Sequence, residues 1–243
     1  MKKYLVISFL IFGISCSSQY HLMKKDFETT AINRVQNDDS TAVAIINPYH
    51  DSIQGKMNEV IGYSRVVLKK EQPESSMGNF VCDAIIHHYK NEKPDLCVVN
   101  YGGLRIPQIA DGAITTGKIF ELMPFDNTMS LVYVSGKNLK QLFEKIAQKK
   151  GWPVSDGVSL QIQDGKLINC YLKGQEIDDI KTYRLIVSDY LANGGDECSF
   201  LKPLPRIDLK ELFRDVLISE IKKMNLNGEK IAASIDGRIL EIK

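Results

Sequence analysis

The sequence carries almost no net charge: 31 Lys and Arg against 30 Asp and Glu leave +1 over 243 residues. It therefore lacks the basic footprint of a protein that binds nucleic-acid polymers. No apolar run approaches the roughly 20 residues needed to cross a bilayer. Cys82, Cys97, Cys170 and Cys198 are 15, 73 and 28 positions apart and form no C-x-x-C pair, which argues against a zinc site. A Walker loop, a G-x-S-x-G element, a low-complexity tract and a clear internal repeat are all missing. What is present is ordinary globular composition, 44% hydrophobic and 25% charged, enough for a substantial core without disulfides.

The N-terminus reads as an export signal. Lys2 and Lys3 precede an apolar run from Tyr4 to Ile14, interrupted by Ser8 and Gly13, and Ser15 stands directly before Cys16. A short apolar run after a basic start is a signal segment and not a span. A cysteine at its end resembles a bacterial lipobox, although Gly13 sits where a larger aliphatic residue is usual. Residues 1–15 are thus expected to be a signal peptide, Cys16 a lipidation site, and residues 16–41 a polar tether with at most a loose helix. The protein is expected to be exported and lipid-anchored in the bacterial cell envelope. Cys82 and Cys97 fall within apolar patterns and read as buried thiols.

From residue 42 to residue 243 the pattern is that of one folded domain. Asn47-Pro48 looks like a helix cap with proline at the first helical position. Ile61 to Leu68 reads as a strand. A helix opens at Ser75 or Ser76, with Met77, Phe80, Val81, Ala84 and Ile85 on its apolar face. Leu96 to Val99 is a short buried strand ending at Asn100. Thr128 to Ser135 is another strand, and Leu139, Leu142, Phe143 and Ile146 mark a helix. Val158–Gln163 and Lys166–Leu172 flank Asp164-Gly165, the signature of a tight type I′ hairpin. Tyr183 to Ser188 is a strand. Leu209, Leu212, Phe213, Val216, Leu217 and Ile221 suggest one long amphipathic helix, stopped at Asn225 to Gly228. Helices and strands alternate early and hairpins dominate later, which predicts a single α+β domain with a mixed β-sheet flanked by helices.

Four loops have chemical character. In Asn100-Tyr101-Gly102-Gly103-Leu104-Arg105, two glycines allow close backbone approach, and Arg105 offers a fork of donors for phosphate or ribose oxygens. In Pro124-Phe125-Asp126-Asn127-Thr128, an aromatic ring stands beside an amide that can match a purine edge. Asp189-Tyr190-Leu191-Ala192-Asn193-Gly194-Gly195-Asp196 supplies a second aromatic and a carboxylate. Glu74-Ser75-Ser76-Met77-Gly78-Asn79 is a capping segment that could also admit a ligand or a neighbouring loop. Each alone is equally a plain turn.

Taken in order, the stretches E-S-S-M-G-N-F-V-C-D-A, N-Y-G-G-L-R, P-F-D-N-T and D-Y-L-A-N-G-G-D-E resemble the C-terminal domain of the 5′-nucleotidase family, over roughly Ala42 to the C-terminus. The resemblance implies a 5′-nucleotidase C-terminal-like fold and a nucleotide or nucleoside ligand. It implies that Phe125 and Tyr190 sandwich the base and that Asn127 meets the base edge. Asp196 would hold the ribose hydroxyls, with Arg105 and Asn100 on the ribose-phosphate side. The chain departs from the family in four places. Lys69-Lys70-Glu71-Gln72-Pro73 stands where an arginine is common. Tyr101 replaces one of three usual glycines, Glu197 replaces a glycine, and Tyr190 stands where phenylalanine is frequent.

Enzymes of the family also carry a metallophosphatase domain whose two metal ions activate water, with D-x-H and G-H-x-H segments among its ligands. This chain has four histidines, His21, His50, His87 and His88, in neither segment. No metal cofactor is expected in this chain and no residue of it is expected to be catalytic. The expectation is a recognition domain, with a separate metallophosphatase chain supplying the metals for phosphate-ester hydrolysis. The alternative is a stand-alone nucleoside- or nucleotide-binding lipoprotein for scavenging or sensing.

Overall fold

The structure, a computed structural model, describes residues 40–242, without the side chains of residues 49–52. The expected signal segment, Cys16 and the tether up to residue 39 lie outside the described residues. The chain forms two units, Met1–Ala44 and Ile45–Lys243, the first described only where a helix begins. Among the described residues no helix is long and apolar enough to cross a membrane.

In chain order the elements are α1 (Ser40–Met57), β1 (Val60–Ser64), β2 (Leu68–Lys69), α2 (Ser76–His88), β3 (Leu96–Cys97), β4 (Gln108–Ile109), β5 (Gly112–Thr115), α3 (Thr116–Leu122) and β6 (Thr128–Ser135). There follow α4 (Gly136–Gln148), β7 (Val158–Gln163), β8 (Lys166–Leu172), β9 (Gln175–Glu176), β10 (Thr182–Ser188), α5 (Asp189–Ala192), β11 (Arg206–Leu212), α6 (Phe213–Leu226) and β12 (Ile239–Glu241). The fold is α+β, as its sequence pattern predicts. Its strands form two four-stranded sheets, ordered β11-β6-β10-β3 and β12-β7-β8-β9, and two two-stranded ones, β1-β5 and β2-β4. Both larger sheets are mixed: β10 runs parallel to β3 and β12 to β7, and their other pairs are antiparallel.

The inner strands of the first of these sheets, β6 and β10, are buried on both faces. Met129, Leu131 and Ile186 point into a core shared with α2, α3 and α6. Val132, Val134, Leu185 and Val187 alternate to the other side and meet α4 and β7. The period-2 alternation of strand side chains thus serves two cores at once, which is why β6 and β10 are nearly continuous apolar runs. Cys82 and Cys97 are fully buried. Side-chain caps fix the helix starts: Ser75, Thr115, Ser135 and Ser188 each accept from the backbone N–H three residues on, a bond worth about 1 kcal/mol apiece.

The local reading fails in three places. Pro48 lies inside α1 and not at its start, so the helix forgoes the bond a residue there would donate to the carbonyl of Ala44. The expected strand from Ile61 to Leu68 is two strands, β1 and β2, joined by a bend. The expected long helix starting at Leu209 is a strand, β11, followed by α6. Leu209, Leu212 and Phe213 have helical spacing, but β11 pairs with the otherwise open edge of β6, and a bulge where Lys210 takes φ 60° breaks its alternation.

Candidate functional site

The topology gathers loops at one end of the first sheet. Strands β3 and β10 are parallel neighbours, so the loops that leave them emerge on the same side. Strand β6 runs antiparallel to β10, and Met129 near its start pairs with Ser188 at the end of β10. Strand β11 also finishes there, with Leu212 opposite Thr128. The segments after β3, before β6, after β10 and after β11 therefore meet, as ligand-binding loops do at the carboxyl ends of strands in open sheets.

The cleft they form has a volume of about 310 Å³ and is lined by Asn100, Gly102, Gly103, Arg105, Phe125, Asn127, Tyr190 and Asp196. All six residues expected to contact a ligand are among them. Phe125 and Tyr190 are 41% and 44% exposed, unusual for large rings with so much core available. The volume lies at the lower end of the range of about 300–1,000 Å³ for ligand pockets.

Hydrogen bonds fix the polar groups. Asn100 is buried and donates from Nδ2 to Oδ2 of Asp196 at 2.7 Å. The hydroxyl of Tyr190 donates to Oδ1 of Asp196 at 2.9 Å and accepts from the Asp196 backbone N–H at 3.2 Å. Asp196 takes φ 49° and ψ 39°, a left-handed conformation that costs an L-residue roughly 1–2 kcal/mol and that aspartate tolerates better than most. Its carboxylate also holds the Tyr190 phenol above its usual pKa, through that hydrogen bond first and burial second. Gly195 lies flat against the Tyr190 ring: a methyl there would come within 2.5 Å of Cε1 and Cζ. Gly103 is equally constrained, since a Cβ would stand 2.9 Å from Oδ1 of Asn100.

Cations stand on one side. The guanidinium of Arg105 is 5.5 Å from the Phe125 ring centroid, within the range of a cation–π contact, and it donates to the carbonyl of Gly102. Lys70, in the Lys69–Pro73 stretch where the resemblance leads one to expect an arginine, donates to the carbonyl of Leu104 at 2.7 Å and lies over the Tyr101 ring at 3.9 Å. Burial, then the charge of Arg105, lowers its pKa. Lys70 and Tyr101 brace the Asn100–Arg105 loop from behind and do not line the cleft. Glu197, another departure, pairs with Lys145 of α4 and with Lys149 just past its end, at 2.8 and 3.0 Å. Hydrogen bonds from those two lysines lower its carboxyl to about 2. Cys198, beneath the same loop, is pushed up to about 11 by burial, with Asp196 adding to the shift, so it stays a thiol and not a thiolate nucleophile.

Sequence reasoning missed Arg214. Its guanidinium donates to the carbonyl of Phe125 at 3.1 Å, pairs with Asp126 at 2.6 Å and lies over the Phe120 ring at 4.7 Å. The backbone N–H of Phe213 donates to the carbonyl of Asn127. Helix α6 has no side-chain cap at Leu212, and the Phe125–Asn127 loop fills that place. The missing cap residue was the one available signal.

The fourth expected loop lies elsewhere. Glu74 accepts from Asn79 Nδ2 and from the backbone N–H groups of Asp236 and Gly237, so it anchors the turn before β12. The histidines of α2 are likewise engaged away from the cleft. His87 and His88 reach Glu220 at 2.6 and 3.0 Å, and His88 also reaches Glu211. Among the described residues no three His, Cys, Asp or Glu side chains are arranged to hold a metal ion. The described residues therefore offer no ligand set for a two-metal centre.

Comparison with known proteins agrees with the fold. A family model described as 5′-nucleotidase, C-terminal domain, matches residues 53–203. The chain is similar to the 5′-nucleotidase of Diplobatis ommata, 25% identical over 91% of this chain and 44% of that protein. It is also similar to the apyrase of Tabanus yao, 28% identical over 63% of this chain and 33% of that one. In fold it is similar to the crystal structure of a 5′-nucleotidase precursor from Thermus thermophilus, with a TM-score of 0.74, 24% identity, and coverage of 83% of this chain and 43% of that one. The chain spans less than half the length of each.

Proposed function

The chain belongs to the 5′-nucleotidase family, by its C-terminal domain, and on that premise we propose that it recognises the base and ribose of a nucleotide. Phe125 and Tyr190 stack on the base, Asn127 meets its edge and Asp196 accepts from the ribose hydroxyls. Arg105, with Asn100 beside it, faces the phosphate side. One observation carries this reading: two exposed rings, an amide, a carboxylate and a guanidinium, drawn from three separate loops, line one cleft of nucleoside size. Stacking on an aromatic ring contributes about 1–3 kcal/mol per base in nucleic-acid systems. Two rings and the polar anchors together support affinity near 1 µM, about 8 kcal/mol.

The second half of the proposal is that a separate metallophosphatase chain supplies the metal ions and the hydrolytic step. The lack of any three convergent metal-ligating side chains among the described residues supports it. This chain holds the nucleoside end of the substrate and leaves the phosphorus to its partner. Export and lipidation at Cys16 are part of the same proposal, and Cys16→Ser is expected to release the protein from the membrane fraction.

The test has two arms. Calorimetric titration of the purified chain with adenosine, AMP and UDP-sugars is expected to show micromolar binding to at least one. AMP hydrolysis with Mn²⁺ or Zn²⁺ is expected only when a metallophosphatase chain is added. Robust metal-dependent turnover by this chain alone would sink the division of labour, and failure of every ligand to bind would sink the recognition. Tight binding with no partner captured favours the stand-alone binding protein.

A further inference from the structure

Two oxygens give the Asp196 carboxylate about four acceptor sites. The protein fills one on each oxygen: Asn100 donates to Oδ2 at 2.7 Å and the Tyr190 hydroxyl to Oδ1 at 2.9 Å. One site on each oxygen remains, on a residue that lines the cleft. We propose that the Tyr190 hydroxyl is a positioning and specificity-determining group, which locks Asp196 so that its two remaining acceptors match a vicinal diol and select ribonucleosides over deoxynucleosides. The inference rests on the reading of Asp196 as the ribose contact.

The geometry favours a designed lock over an incidental contact. The same hydroxyl holds Asp196 twice, donating to its side chain and accepting from its backbone N–H. The residue so held sits in a left-handed conformation, which needs such support in an L-residue. A phenylalanine would present the same stacking face but could make neither bond. The Tyr190 ring cannot drift to other partners without leaving its seat on Gly195. Asn100, buried at 8% exposure, holds the other oxygen from the floor. The carboxylate is thereby confined before any ligand arrives, which lowers the ordering penalty on binding.

The experiment compares adenosine and uridine with their 2′,3′-dideoxy counterparts on the intact chain and on Tyr190→Phe. The intact chain is expected to prefer the ribonucleosides. In Tyr190→Phe the dideoxy affinities should stay within about twofold, since stacking survives, while the ribonucleoside affinities fall about fivefold, the size of one charge-assisted hydrogen bond lost at a half-exposed site. The ratio between the two classes is the readout, because general damage to the loop would weaken both alike. A ratio unchanged in Tyr190→Phe overturns the inference and leaves the proposed function standing. If the intact chain binds none of the four, the proposed function fails and the inference fails with it. Thermal melting of Tyr190→Phe within about 2 °C of the intact chain, less than the shift expected from 1 kcal/mol in a domain of this size, shows that the variant is folded and the ratio meaningful.

Discussion

Adding one methyl group at residue 195 should separate binding from stability. In Gly195→Ala the new Cβ would lie 2.5 Å from Cε1 and Cζ of Tyr190, whereas carbon atoms rest at about 3.5–4.0 Å. The ring has to retreat by about 1 Å. That takes its hydroxyl from 2.9 Å to well beyond hydrogen-bonding range of Asp196. A bond to a charged acceptor contributes about 1.5–3 kcal/mol when buried. At this half-exposed site the loss is about 1 kcal/mol, a fivefold rise in Kd for a ribonucleoside. The backbone does not object, because Gly195 is not among the glycines with positive φ. Alanine at a compatible glycine site restricts the unfolded chain and contributes about 0.4–1 kcal/mol. Calorimetric titration and thermal melting read the two effects side by side: affinity should fall while the melting temperature holds or rises. Unchanged affinity would refute the role given to the Tyr190–Asp196 bond. A collapse in melting temperature would refute the claim that the ring alone absorbs the methyl.

Phe125→Ala should raise the Kd about 5- to 150-fold, the equivalent of 1–3 kcal/mol of stacking, and leave the melting temperature nearly unchanged because the ring is exposed; titration with adenosine and AMP checks it. Arg238→Met should do the opposite. Arg238 is buried and bonds Asp83, Asp236 and the carbonyl of Val154. Its loss strands two half-exposed carboxylates at about 2 kcal/mol, a melting shift of about 4–8 °C, with nucleoside affinity intact. Glu220 predicts the response to acid. Burial opposes its ionisation, but hydrogen bonds from Lys223, His87 and His88 outweigh that and hold its carboxyl below the usual 4.5. A depressed folded value means that its contribution is complete above about pH 4.5 and drains away as the pH falls through the folded value. Glu220→Ala should be about 1–2 kcal/mol less stable at neutral pH, since two of the partners it leaves, Lys223 and His87, are half-exposed or more, and should lose that part of the acid sensitivity, as denaturant melts from pH 3 to 7 would show.

Local signals were legible where local chemistry decides. Asp164 and Gly165 both take positive φ, 51° and 74°, and the hairpin around them keeps the limits its turn predicts. Ser75 announces its helix by a side chain that reaches only three residues ahead. Legibility stopped where a distant partner decides. Nothing near Leu209 says that β6 has a free edge to pair with, so helical spacing misleads there. Arg214 is one charged residue in the first turn of an amphipathic helix, and its hold on the Phe125 carbonyl spans 89 positions. The six cleft residues could be listed from motifs, but their meeting depends on strand order, which no single motif contains.

Two carboxylates from those motifs show what separates scaffold from ligand group. Glu74 and Asp196 both precede or follow glycine and asparagine in segments that look equally chemical. Glu74 is buried, and its oxygens take hydrogen bonds from Asn79, Asp236 and Gly237. Asn79 spends a second bond on the carbonyl of Ser234. Gly78 completes the set by letting Pro153 come within 2.7 Å of where a Cβ would stand. A groove also borders Glu74, lined with Pro73, Ile235 and Ile239, but with three donors already in place the carboxylate has little left to offer a ligand, and it ties the C-terminal turn to the start of α2. Asp196 receives one side-chain donor on each oxygen and borders open space. Spare acceptor capacity, and not the residue type, the glycine neighbours or the presence of a groove, is what favours Asp196 over Glu74 as the proposed ligand group.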